Sequence, residues 1–287
     1  MTASLAGAAS EKRRLQLPQH PLLVIGFALV VLQVGLALLA PLIAPYDPVG
    51  QSVLDRLQGP SRGFWLGTDQ FGRDNLSRIL WGYRASFLIS LTSVALALIV
   101  GGSLGVIAAY YRGWTERVVM RVMDLLFAFP IILLAIGIIS ILGPQAWTTA
   151  IAIGIVYVPT FARLLRGPTL VIAESEFVLA ARSLGAGDLR ILCVHIVPNL
   201  ASVILVQASL SLSTAILVEA SLSFLGIGTQ PPTPSLGLML SEGRSFLLLS
   251  PWTSVFSGFA ILLASFGFNL LGDALRDSLD PRLRGEH

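Results

Sequence analysis

The chain has 287 residues, of which 54% are hydrophobic and only 12% charged, with a formal net charge of +3. Soluble domains carry roughly 25% charged residues, so this composition excludes a single water-soluble globule and points to several membrane crossings. One cysteine (Cys193) excludes an intrachain disulfide and a thiolate metal cluster, three scattered histidines (His20, His195, His287) lack metal-ligand spacing, and a lone lysine (Lys12) with no glycine-rich turn before it excludes a P-loop.

Residues 1–20 form a polar N-tail carrying Lys12, Arg13 and Arg14. The apolar run 21–44 that follows is longer than the roughly 7–15 residues of a signal-peptide core, so it reads as an uncleaved first span. Residues 45–84 are a polar connector in which Leu76, Ile79, Leu80 and Tyr83 share one helical face. That pattern predicts a helix lying in the membrane interface, with Trp81 and Tyr83 as its anchors. Span two follows at 85–111. Span three covers Leu125–Leu142 and starts near Val118. Gly143-Pro144-Gln145 reads as a turn, and 146–165 as span four. Span five covers 200–226, a second polar connector carries TQPPTPSLG, span six covers 252–272, and 273–287 is a polar tail. In lipid these spans must be helices, because unpaired backbone groups are too costly there.

Six spans place both termini on one side. Arginine and lysine number three in the N-tail, three between spans two and three, four between spans four and five, and three in the C-tail. Those thirteen face six on the other side: Arg56, Arg62, Arg73, Arg78, Arg84 and Arg244. The positive-inside rule then makes both termini and the 163–198 stretch cytoplasmic. No basic run with interleaved aromatics offers a nucleic-acid surface.

The polar island Glu176–Asn199 suits a short, stiff helix pair. Ala180 and Ala181 favour helix and permit close approach. Gly185 can end a helix in the left-handed conformation, and Asp188 can N-cap a second helix from Leu189. Pro198 fits the first turn of span five, where a missing N–H costs nothing. An ordinary helical hairpin is the plainer reading of the same residues. Glu219 is the one acidic residue deep in an apolar run, placed near the far interface, where a packing or gate role is favoured over a solute ligand. Gln33, Gln207 and Asn269 read as helix-to-helix bonding groups. Gly101-Gly102-Ser103-Leu104-Gly105 matches a nucleophile elbow, but it lies within a span and has no histidine base nearby. It reads instead as a small-residue packing face.

The order Ala180, Ala181, Gly185, His195, Pro198, Asn199 resembles the cytoplasmic EAA loop of ABC importer membrane subunits. LGTDQFGRDNLSRILWGYRASF (66–87), DLLFAFPIILLAI (124–136) and EASLSFLGIGTQPPTPSLG (219–237) are similar to the second membrane subunit of dipeptide, oligopeptide and nickel importers. The resemblance covers nearly the whole chain past residue 20. It implies an all-α polytopic fold of the type I importer permease kind in a bacterial inner membrane, with a five-helix domain over 85–272 and a coupling loop at 173–198. It also implies a related permease as partner, two cytoplasmic ATPases that hold ATP and magnesium, and an extracytoplasmic solute-binding protein. No catalytic residue, metal or cofactor of its own is implied. Glu176, Ala180, Ala181, Arg182, Gly185, Asp188, His195, Pro198 and Asn199 would dock the ATPase. Leu179 stands where the family has a glutamate, and Glu176 lies almost one turn earlier. A peptide, nickel or glutathione importer subunit fits the resemblance. An ion-coupled secondary transporter and a membrane hydrolase are the rivals from other classes.

Overall fold

The computed structural model describes residues 21–279; the N-tail 1–20 and the chain after 279 lie outside the described residues. Five of its helices are long and apolar enough to cross a membrane, and a sixth span is made if one sharply bent helix pair counts as one.

The first helix, α1 (Pro21–Ile43), is apolar all round and packs on the last, α11 (Trp252–Leu279). Its one buried polar side chain, Gln33, donates to the Leu263 carbonyl at 2.9 Å, as expected of an interhelical glutamine. Gln207 instead bonds Ser211 within its own helix, at 3.1 Å, and Asn269 is exposed.

Span two starts ten residues before the sequence pattern places it. Helix α2 (Asn75–Ala97) passes through a π turn (Leu98–Gly102) into α3 (Ser103–Tyr111), one continuous stretch of 37 residues. At 1.5 Å per residue that is about 55 Å, against a hydrocarbon core of about 30 Å, so it projects beyond the bilayer. Asp74 caps its start by accepting the Ser77 amide at 2.8 Å. Ile79, Leu80 and Tyr83 do share a face. That face is buried against protein rather than laid in an interface, and the Tyr83 hydroxyl donates to the Ala260 carbonyl at 3.0 Å. An apolar helical face does not say what covers it; here α10 (Leu236–Arg244) and α11 reach it first.

Span three is broken. Helices α4 (Gly113–Phe127) and α5 (Ile131–Leu142) meet at 92°. Pro130 causes this: it has no N–H to continue the ladder, and it pushes the preceding residue out of helical geometry. Helix α6 (Ala146–Ala173) begins at a capping box of Gln145 and Thr148 and runs eight residues past the expected end. Around the start of this extension, Arg163 pairs with Asp124 and Arg166 with Glu116, both acids on α4. Gly101 and Gly105 lie against the α6 backbone so closely that a Cβ on either would collide with the carbonyls of Val158 and Ala162, and they form a packing face.

After α7 (Glu176–Ser183) the chain is helical from Asp188 to Phe224. A short helix, α8 (Asp188–Arg190), leads through a π turn (Ile191–Ile196) and a 3₁₀ turn (Val197–Leu200) into α9 (Ala201–Phe224). Pro198 therefore sits inside a continuous helix, not at the start of a separate span. The π turn relieves it: the Val197 amide reaches back five residues to Leu192, and the Asn199 side chain takes the His195 carbonyl at 2.6 Å.

Candidate functional site

The two ends of the bundle carry distinct constellations. At the first end, α7 is anchored by Val178, fully buried with Ala173, Ile191, Ile196 and Leu200. Gly185 ends the helix with φ +82°; its amide bonds the Arg182 carbonyl, and the Ala186 amide bonds that of Ala181, each at 3.0 Å. This is a Schellman cap, which needs a residue free of a Cβ penalty at the left-handed position. The outward side carries Glu176, Phe177, Leu179, Ala180, Arg182 and Leu184, with Ala181 half-buried beside them. Leu184 is 89% exposed and Leu189 is 76% exposed. An apolar patch of this kind marks an interaction surface.

Of the residues picked out by sequence, Glu176, Ala180, Ala181, Arg182 and Gly185 form α7 and its cap. Asp188 opens the return helix, and His195, Pro198 and Asn199 lie in its π and 3₁₀ turns. The two halves meet where the Phe177 and His195 rings lie 6.3 Å apart. Asp188 is not an N-cap. Gly187 holds that position, and the Asp188 carboxylate accepts the Tyr110 hydroxyl at 2.7 Å and the Tyr111 hydroxyl at 3.3 Å. Two phenols outcompete a terminal amide because they come from α3, a tertiary neighbour that no local rule includes. Arg182 joins the group, donating to the Tyr110 hydroxyl at 3.2 Å and stacking over its ring.

At the opposite end Glu219 is fully buried in α9. It accepts Ser86 of α2 at 2.7 Å, Ser223 one turn further along at 2.8 Å, and Ser235, which also caps α10, at 3.2 Å. Three elements converge on one carboxyl group, which leaves both of its oxygens bonded. The Gly237 backbone lies directly on Ala220, and a Cβ there would collide with the Ala220 carbonyl.

Beside it is a cluster that sequence reasoning missed. Asp69 bonds Arg73 at 2.6 Å and also pairs with Arg78; Glu242 of α10 bonds Arg73 and Arg78, each at 2.9 Å. Asp69 is 0% and Arg78 1% exposed. Two guanidinium groups and two carboxylates balance, as buried charges require. Asn75 ties this cluster to α11, accepting Thr253 at 3.1 Å while donating to the Leu66 carbonyl at 3.0 Å. The available sequence signal was the spacing of Asp69 and Arg73, four residues apart, with Arg78 following.

Residues 101–285 match the family described as binding-protein-dependent transport system inner membrane component, and residues 14–60 match the N-terminal transmembrane domain of oligopeptide transport permease C. The chain is 45% identical to the dipeptide transport system permease protein DppC of Alkalihalophilus pseudofirmus, over 94% of this chain and 88% of that one. It is also 45% identical to the glutathione transport system permease protein GsiD of Pectobacterium atrosepticum, over 93% and 89%. A solved structure of the MetNI methionine ABC transporter in an inward-facing conformation superposes with a TM-score of 0.58 at 16% identity, covering 71% of this chain and 97% of its own, and shares the fold. The chain belongs to the binding-protein-dependent transport system inner membrane components, and is a multi-pass permease component of an ABC importer.

Proposed function

We propose that this permease encloses half of a solute path with a related partner, and that α7 is the wedge by which a separate ATPase drives it. The observation that carries this reading is α7 itself: a short helix pinned by Val178, closed by a rigid cap at Gly185, and presenting Phe177, Leu179, Ala180 and Leu184 outward with Ala181 half-buried beside them. Such a piece transmits a push that a pliant loop would absorb. Leu179, in place of an acidic side chain, makes the contact rest on apolar fit rather than on a carboxylate. ATP and magnesium belong to the two ATPase subunits, and solute arrives from an external binding protein at the α10 end.

The thirteen-to-six distribution of basic residues supports a cytoplasmic α7 and cytoplasmic termini. The proposed solute is a di- or oligopeptide. The relatives named for dipeptide and for glutathione, itself a tripeptide, support that class over nickel. The chain performs no bond chemistry in this reading; Ser103 lies mid-helix between the two packing glycines.

Ala181→Asp tests the wedge. The charge should abolish co-purification of the ATPase while membrane insertion stays at the wild-type level. Retention of the ATPase by that variant would remove the assignment.

A further inference from the structure

If α7 is the wedge, its movement must enter the spans somewhere. Its own packing joins it to α6 and to the π turn ahead of α9. Toward α3 the packing is thinner: Val106 joins the same core as Val178, Ile191 and Ile196, and Tyr110 packs against it. The backbones of α3 and the 176–199 segment have almost no close approach. Between them lies an apolar groove of about 430 Å³, with Val106 and Ile107 on one wall and Leu189, Leu192 and Val197 on the other. A groove of that size transmits force poorly, because its walls lack contacts. At the end of α3 the gap is bridged by polar side chains: Tyr110 and Tyr111 both donate to Asp188, and Arg182 from α7 bonds and stacks on Tyr110. The aromatic pair is itself braced edge to face, with centroids 5.1 Å apart. Arg112, the next residue, pairs with Glu174 just before α7 at 2.6 Å. Three consecutive residues at the tip of α3 thus hold both ends of α7.

We propose that Tyr110 and Tyr111, acting through Asp188 and Arg182, are positioning residues that make the coupling segment and span two move as one body. Span two then carries the displacement past the π turn at Leu98–Gly102, where its tight seat on α6 at Gly101 and Gly105 forces α6 to follow. This inference rests on the coupling reading above.

The test uses the complete complex with its ATPase and partner permease, in a Cys193→Ser background that removes the exposed native thiol. Spin labels at Leu184 on α7 and Leu88 on α2, both exposed, report the separation across the clamp without nucleotide and with ATP trapped by vanadate. In the otherwise wild-type complex the separation should be the same in both states. In Tyr110→Phe/Tyr111→Phe it should change by about 2 Å or more, the scale of interface helix shifts, while ATP hydrolysis persists. Asp188→Ala should change the separation likewise, and combining it with the tyrosine changes should add nothing further to that change. Asp188→Asn, which keeps the side-chain shape, serves if the double variant fails to assemble. Constant separation in these variants, or a nucleotide-dependent separation in the wild-type complex, overturns the proposal. An ATPase that stays bound to Ala181→Asp overturns the coupling reading and this inference with it. Loss of the ATPase on Ala181→Asp, with the clamp variants still behaving as wild type, overturns this inference alone.

Discussion

The α7 end and the α10 end of this bundle both depend on charged and hydroxyl side chains, yet they hold them under opposite conditions. At the α10 end Asp69, Arg73, Arg78 and Glu219 are buried, with Glu242 nearly so, and the connector is locked onto α2, α10 and α11. At the α7 end Arg112, Glu174 and Asp188 remain open to solvent, and within α7 itself only Val178 is buried. Equal chemistry therefore has unequal worth. A buried pair that loses one partner strands a charge in a low dielectric, while an exposed pair that loses one partner is rehydrated. One end is suited to stay fixed while the other engages and yields.

The largest effect that would break this contrast is expected at Arg78. Arg78→Ala leaves Asp69 and Glu242 short of a counter-charge and should cost about 3–5 kcal/mol. Thermal unfolding in detergent would read this as a large fall in midpoint or as loss of folded protein; an unchanged midpoint would dissolve the distinction between the ends. Next comes Glu219→Ala, which strands the hydroxyls of Ser86, Ser223 and Ser235 and should cost about 1–3 kcal/mol. The loss should centre on α10, so hydrogen exchange there should rise more than in α7, and the reverse order would refute the assignment. The smallest is Glu174→Gln at the exposed Arg112 pair, with about 0–1 kcal/mol lost and less at high salt. A destabilisation as large as that of Arg78→Ala would show that exposure at the α7 end is illusory.

Legibility followed the same divide. The first span, read as 21–44, is a helix over Pro21–Ile43, because an apolar run of that length has one solution in lipid. Gly185 takes the left-handed φ expected of a helix-ending glycine, since that constraint is local steric chemistry. Errors arose where polar residues were placed outside the spans. Residues 75–84, expected as a separate interfacial helix, and 166–173, expected in a connector, continue α2 and α6 because charged groups there find buried or cross-helix partners, which composition alone does not reveal. The break at Pro130 was available in the sequence and was outweighed by the apolar content around it. Asp188 was assigned by a capping rule to its own amides, while Tyr110, 78 positions away, claimed it instead.

The amino-acid sequence by itself determined that this chain fills a bilayer with helices and holds a short capped helix between two of them. Bilayer thickness and backbone sterics act within one element, so a single stretch of residues expresses them fully. Only the tertiary structure decided which polar groups meet. Ser86 reaches Glu219 across 133 positions and Arg73 reaches Glu242 across 169. Such pairings carry no local signal, because burial and distance become favourable only once the helices have packed.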